Sequence, residues 1–188
     1  MSISYRKAAL ANLTNATGVY ALCDLDQTPI YIGQSEDGIR ARVNRHLTSA
    51  RSDIIANRQV DVWEIAWVWA WPTDPQNTPA LESHMFHMFD SQKTLMNGTI
   101  PARSGEAVNI PPKSVVQIMH QDEIKARLDP VLRLPRQIEH YGRLVDQVLI
   151  VKDSAQMRRS LRAHFERLQI YHHSFLKQSG PEMVRPEA

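Results

Sequence analysis

Five side chains in the first half of the sequence have the types and spacing needed to act on a phosphate ester. Tyr20 closes a Gly-Val-Tyr triplet, and Tyr31 opens a Tyr-Ile-Gly triplet. Arg42 and His46 are four residues apart, so a helix would present both on one face. A guanidinium fork suits phosphate oxygens, a histidine can pass a proton near neutral pH, and the lone carboxylate of Glu82 suits a hydrated Mg²⁺. Phosphodiester hydrolysis requires these functions together.

A hairpin and two helices are needed to position these side chains. Two β-prone runs, 17–23 and 30–34, flank the turn-forming residues 24–29 and predict a β-hairpin that carries both tyrosines. A helix that begins near Gly38 would carry the arginine and the histidine, because apolar residues recur in it at a spacing of four. A second apolar-faced helix over 80–90 would carry the glutamate.

A third strand is predicted between these two helices. Residues 60–71 alternate large and small side chains, which places all four tryptophans on one face of a strand. Such a face could pack under a helix, or it could be an exposed platform on which bases stack. An exposed row of four tryptophans would promote aggregation, so we expect burial under a helix.

The order of these features resembles the GIY-YIG nuclease family. The resemblance covers about residues 16–110 and rests on the two triplets, the helical arginine and histidine, and the later glutamate. It implies an α+β fold with a small three-stranded sheet flanked by helices. It also implies a metal-dependent endonuclease that hydrolyses phosphodiester bonds of DNA, leaving 5′-phosphate and 3′-hydroxyl ends. Mg²⁺ is the implied cofactor, with Mn²⁺ as the alternative ion.

The resemblance also implies a role for each residue. Tyr20 would activate or position the attacking water, with Tyr31 assisting beside it. Arg42 would stabilise the pentacovalent phosphate, and His46 would support proton transfer. Glu82 would hold the metal ion.

The family motif also includes a late asparagine, for which the sequence offers two positions. We prefer Asn109, because it follows a stretch that contains Pro101, as the family asparagine usually follows a proline-bearing stretch near the domain end. Asn97, which lies 15 residues after Glu82, is the alternative.

The pattern changes after Pro111 and Pro112, beyond which almost every segment, beginning with Ser-Val-Val-Gln-Ile-Met, is predicted to be helical. We therefore divide the chain into a catalytic domain over 1–112, a helical extension over 113–178 and a flexible tail over 179–188. The catalytic part has a net charge of −2 and residues 113–188 have a net charge of +4.

The helical extension is the candidate for binding the nucleic-acid backbone or a second copy of the chain in a homodimer. Its last helix, over about 155–178, has a predicted apolar stripe through Met157, Leu161 and Phe165 and a basic opposite face. Pro130 and Pro135 are expected to interrupt the segment before it. We expect removal of the extension to weaken nucleic-acid binding more than it disturbs the site.

Composition limits the remaining possibilities. With 43% hydrophobic and 22% charged residues among 188, the chain is not disordered as a whole. The single cysteine excludes an intramolecular disulfide and a cysteine-rich zinc site. No apolar run approaches the roughly 20 residues of a membrane span, so we expect a cytoplasmic protein. The sequence leaves open an RNA substrate and a nucleic-acid-binding module with little or no turnover.

Overall fold

The computed structural model describes residues 3–49, 52–105 and 107–178. Four strands form within these ranges: β1 (Gly18–Cys23), β2 (Pro29–Ser35), β3 (Trp67–Pro72) and β4 (Ser114–Gln117). The α-helices are α1 (Ile3–Ala11), α2 (Ile39–Thr48), α3 (Asp53–Ala56), α4 (Thr78–Asp90), α5 (Gln121–Leu128), α6 (Pro130–Asp146) and α7 (Ala155–Gln178). A π-helical turn, Gln147–Val151, follows α6. No helix in the described part of the chain is long and apolar enough to cross a bilayer.

The strands form one antiparallel sheet in the order β2-β1-β3-β4, with helices on both faces. Helix α2 packs Ile39, Val43 and Leu47 on one face, and α4 packs Leu81 and Phe86 on the other. The α+β class, the predicted hairpin and the two predicted helices are therefore confirmed. Both faces are covered, which explains why β1 is buried along its whole length.

The sheet has four strands instead of the three that the resemblance implied. The fourth strand is Ser114–Gln117, which we had predicted to begin the helical part. Its two adjacent valines favour an extended chain, and β3 offers them a free edge for pairing. The predicted limits of the domains stay a prediction, and this strand lies just beyond the predicted boundary.

The third strand is shorter than predicted. Residues 61–66 form a turn, because the Asp61 carboxylate accepts a hydrogen bond from the backbone N–H of Trp63 and thereby stabilises a local bend. Trp63 consequently lies outside the strand. The other three tryptophans share one face of β3, where Trp69 and Trp71 contact Phe89 of α4 at ring-centroid distances of 6.0 and 6.2 Å. For these three, the predicted burial under a helix is confirmed.

The helical part differs from its prediction in two details, although α7 spans the predicted residues. Helix α6 continues through Pro135, because Asp129 caps its start and Pro130 occupies its first turn. The buried face of α7 is also more polar than the predicted stripe. It consists of Met157, Ser160, Ala163, His164, Arg167 and Tyr171. Phe165 is 47% exposed.

Buried ion pairs explain this polar face. The Arg167 guanidinium lies 3.0 Å from the Asp24 carboxylate in the turn between β1 and β2, and both side chains are almost completely buried. Arg133 of α6 binds both carboxylate oxygens of the buried Glu64. It also lies 2.7 Å from Asp26 in the same hairpin turn. The C-terminal helices therefore dock on the hairpin through charges that are removed from solvent.

Candidate active site

The register of the hairpin brings the two tyrosines together. Tyr20 is paired with Gly33 and Leu22 with Tyr31, so both phenols project from the same face. Their ring centroids are 6.4 Å apart. Gly33 makes this arrangement possible, since a Cβ atom built there would lie 2.6 Å from the Tyr20 hydroxyl. The glycine of the second triplet thus provides the space that the first tyrosine occupies.

Helix α2 begins where the chain turns sharply after β2. Gly38 has a φ of 106°, which favours glycine, and a Cβ atom at this position would lie 2.6 Å from the carbonyl oxygen of Asn15. The Asn15 side chain accepts a hydrogen bond from the backbone N–H of Ala41 in the first turn of the helix. The start of α2 is therefore fixed against the N-terminal segment, and with it the positions of Arg42 and His46.

His46 lies against both tyrosines at the edge of the core. Its Nε2 atom is 2.7 Å from the Tyr20 hydroxyl, and its ring centroid lies 6.0 Å from each phenol ring. On its other side, Nδ1 is 2.6 Å from the hydroxyl of Ser52. The histidine is 2% exposed, so it reaches solvent only through its neighbours.

Burial raises the pKa of Tyr20 above its ordinary value, and the adjacent Tyr31 phenol acts in the same direction. The positive charge of Arg42 and a hydrogen bond with it act in the opposite direction. Burial dominates, so the Tyr20 phenol keeps its proton at neutral pH. A group that is buried and protonated can deliver its proton only to a neighbour, and His46 is within hydrogen-bond distance.

Glu82 lies on α4, opposite Arg42. Burial raises the pKa of its carboxyl group, while the backbone N–H of Gln34 and the charge of Arg42 lower it. The Arg42 Nε atom is buried and has no hydrogen-bond partner in the described part of the chain. An unpaired guanidinium donor beside a carboxylate is suited to an oxyanion ligand.

These side chains border one cavity of about 290 Å³. The described residues that line it are Tyr31, Arg42, Ile54, Asn57, Gln59, Glu82, Phe86, Asn97, Gly98, Thr99 and Pro101. Tyr20 and His46 are not in its wall and form the next layer, in contact with Tyr31. The structure therefore brings together five of the six residues that the sequence indicated.

The sixth, Asn109, lies elsewhere, so our preference between the two asparagines requires correction. Asn109 is exposed and borders a different cavity with Pro72 and Asp74. Asn97 is in the wall of the first cavity, and its side-chain amide exchanges two hydrogen bonds with the backbone of Ile32, at 3.0 and 2.7 Å. It thus occupies the open edge of β2. Its distance from Glu82 along the sequence was the signal that favoured it.

Helix α7 holds this asparagine segment in place. The Ser160 hydroxyl donates a hydrogen bond to the carbonyl oxygen of Met96, and Arg159 Nε donates one to that of Asn97. Arg159 also pairs with Asp90 at the end of α4. Neither residue was recognised from the sequence, because a contact between positions some 60 residues apart leaves no local pattern. Ser52, Asn57 and Gln59 were missed for the same reason.

The chemistry of the cavity fits a divalent cation. Among the described lining residues, Glu82 is the only carboxylate. No group of three or more His, Cys, Asp and Glu side chains that could hold a metal ion occurs in the described ranges. Mg²⁺ suits such a site, because it retains several of its waters and binds through one or two carboxylates. The cavity has room for several waters, each of which takes about 30 Å³.

Comparison with known proteins gives one match. Residues 16–94 match the GIY-YIG catalytic domain family. The matched segment covers less than half of the chain and contains Tyr20, Tyr31, Arg42, His46 and Glu82, but neither asparagine. No match was found among curated proteins or among solved structures.

Proposed function

Since residues 16–94 form a GIY-YIG catalytic domain, we propose that this protein is a metal-dependent endonuclease that hydrolyses phosphodiester bonds of DNA. The domain belongs to a family of nucleases and implies a nucleic-acid substrate. The observation that carries the proposal is the cavity that Tyr31, Arg42 and Glu82 share, with the Tyr20–His46 hydrogen bond directly behind it.

Arg42 is the residue we assign to the scissile phosphate. Its charge is permanent, and its buried Nε atom has no partner among the described residues, so binding a phosphate oxygen would satisfy a donor that is otherwise unpaired. Because negative charge increases on these oxygens as the water attacks, the interaction would strengthen in the transition state.

Tyr20 and His46 would form the proton route. The attacking water gives a proton to the Tyr20 oxygen as the phenol gives its own to Nε2 of His46, which becomes an imidazolium. This coupled transfer avoids a free phenolate, the form that burial of Tyr20 disfavours. Tyr31, in the cavity wall, would orient the water. The bond to the 3′ oxygen then breaks, which leaves a 5′-phosphate and a 3′-hydroxyl.

Glu82 would hold the cation, Mg²⁺ or Mn²⁺. When bound, the ion supplies positive charge to the phosphate oxygens as they become more negative. Glu82 would also stay ionised next to it, against the effect of burial on its pKa.

A nicking assay tests the proposal. Supercoiled plasmid, short duplex DNA, single-stranded DNA and RNA are incubated with the protein and Mg²⁺ or Mn²⁺, and nicks are then treated with DNA ligase without prior phosphorylation. We expect DNA cleavage, nicks that the ligase seals, and a loss of about 100-fold or more in Glu82→Gln. Glu139→Gln, which removes an exposed carboxylate, is the matched control and should cleave normally.

Three results would contradict the proposal in different ways. DNA binding without cleavage by any metal would indicate a binding module on this scaffold. Cleavage of RNA alone would indicate a ribonuclease. Nicks that the ligase seals only after phosphorylation would show that the opposite phosphate–oxygen bond breaks.

A further inference from the structure

We infer that Ser52 is a positioning residue for proton transfer: its hydroxyl accepts the Nδ1 proton of His46 and so keeps Nε2 free to take the proton of Tyr20. The inference rests on the proposed function for its catalytic consequence. The hydrogen-bond arrangement itself can be tested on the protein without substrate. Ser52 touches His46 and not the cavity, so its effect on cleavage would pass through the histidine.

The geometry holds the His46 ring from both sides. The Ser52 hydroxyl is 2.6 Å from Nδ1, and the Tyr20 hydroxyl is 2.7 Å from Nε2. Ser52 is 3% exposed, so its hydroxyl does not exchange freely with bulk water. With a partner on each nitrogen, the plane and the position of the imidazole are both defined.

The direction of the two hydrogen bonds follows from the groups around Tyr20. Arg42, which is hydrogen-bonded to this phenol, has only donors, so the bond uses a lone pair of the phenol oxygen. The phenol keeps its own proton, because burial opposes ionisation. It therefore donates that proton to Nε2 of His46. A neutral imidazole carries a single N–H, which is then on Nδ1 and points to Ser52.

Ser52 is held firmly enough to perform this role. Its backbone N–H donates to the carbonyl oxygen of Ser49 at 3.0 Å, just after α2 ends. Its own carbonyl accepts a hydrogen bond of 2.7 Å from the N–H of Ala56 in α3. The residue is therefore fixed to the helix that carries His46 and to the short helix that follows. A serine at this place sets the tautomer without adding a charge to the buried histidine.

Nuclear magnetic resonance of the full chain with ¹⁵N-labelled histidine tests the tautomer directly. His46→Asn identifies the His46 signals. We expect Nδ1 to carry the proton in the wild type and in Ser52→Thr, which keeps the hydroxyl. In Ser52→Ala we expect a mixture of both tautomers, because neither ring orientation then satisfies both nitrogens. A wild-type protein with the proton on Nε2, or an Ser52→Ala spectrum identical to the wild type, would overturn the inference.

Cleavage kinetics test the consequence. A positioned acid or base contributes about 10²- to 10⁴-fold to a rate, so loss of its orientation should cost part of this. We expect kcat of Ser52→Ala to fall by about tenfold with KM within about twofold, and Ser52→Thr to recover most of the rate. Equal rates in both variants, or a change in KM alone, would refute a positioning role. If no DNA is cleaved under any condition, the proposed function fails while the tautomer result still decides the role of Ser52.

Discussion

Replacement of Arg167 by methionine tests how the C-terminal helices support the hairpin that carries both tyrosines. The guanidinium lies 3.0 Å from the Asp24 carboxylate and donates to the carbonyl oxygen of Pro29 at 3.1 Å. Methionine has a similar length and no charge, so Arg167→Met removes both contacts while it retains most of the packing. Asp24 would then be a buried carboxylate without its cation.

The size of the effect can be worked out from these contacts. Removal of one partner of a buried ion pair costs about 3–5 kcal/mol. Asp24 would keep the hydrogen bonds from the backbone N–H groups of Asp26 and Thr28, so we expect the lower end, about 3 kcal/mol. For a chain of this length, that corresponds to a fall in Tm of about 6–12 °C. Arg162→Met is the matched control on the same helix. Arg162 is exposed and pairs only at the surface with Glu166, so its loss should cost less than about 1 kcal/mol.

The pH dependence gives a second, independent check. Burial raises the pKa of Asp24, and Arg167 is the largest influence that lowers it. Loss of Arg167 raises this pKa further. A raised carboxyl pKa in the folded state means that protonation stabilises that state, so the defect is full above the folded pKa and shrinks as the pH falls through it. Urea unfolding followed by circular dichroism should therefore give a smaller difference from the wild type at about pH 5 than at about pH 7.5.

A double variant shows whether the carboxylate is the cause. Asp24→Asn in the Arg167→Met background removes the unpaired charge and keeps the turn acceptors, so it should regain at least half of the lost stability. The reasoning would be refuted if Arg167→Met were as stable as Arg162→Met, or if the double variant were no more stable than Arg167→Met.

Three further predictions concern the site and the core. Gly33→Ala should lower the cleavage rate by about 100-fold, because a Cβ atom 2.6 Å from the Tyr20 hydroxyl would displace it from His46; a rate within twofold of the wild type would contradict this. Asn97→Ala should lose about 2 kcal/mol of stability, since two backbone groups of Ile32 lose their partners, whereas Asn109→Ala should stay within about 0.5 kcal/mol in the same urea titration. Burial lowers the pKa of His164 to about 3, so the folded protein should lose stability as the pH falls below about 6.5, by up to about 1.4 kcal/mol per pH unit. His164→Gln should flatten that acid limb of the stability curve, and an unchanged limb would show that another group is responsible.

The sequence predicted what depends on neighbours along the chain. The hairpin follows from two β-prone runs around a turn, and α2 and α4 follow from apolar spacing, so Tyr20, Tyr31, Arg42 and His46 could be identified before the structure. The choice between Asn97 and Asn109 could not be made in this way. It depends on which segment reaches the open edge of β2, and helix α7 determines that.

Burial of charge is the other feature that local patterns do not reveal. Asp61 and Glu64 interrupt the alternating segment before β3, and their carboxylates bind arginines of α6 more than 60 residues away. Read as a strand pattern, Glu64 was merely one more residue on the small-residue face. In the structure it is almost completely buried, and burial raises its pKa to about 7 in spite of Arg133. A buried carboxylate so close to its titration point needs its partner, so the helices that supply the arginines are tied to the stability of the sheet.

The C-terminal helices consequently have a closer relation to the site than a separable binding arm would have. Helix α7 holds the cavity wall through Ser160 and Arg159, and it anchors the hairpin turn through Arg167. Strand β4 covers the edge of β3. A chain that ended at residue 112 would lose all of these contacts together, so a loss of nucleic-acid binding in it would not separate an effect on the helical extension from unfolding of the site. Exposed arginines of α7 such as Arg158 and Arg162 are the positions where substitution can separate the two, because they lie outside the buried contacts that hold the site together.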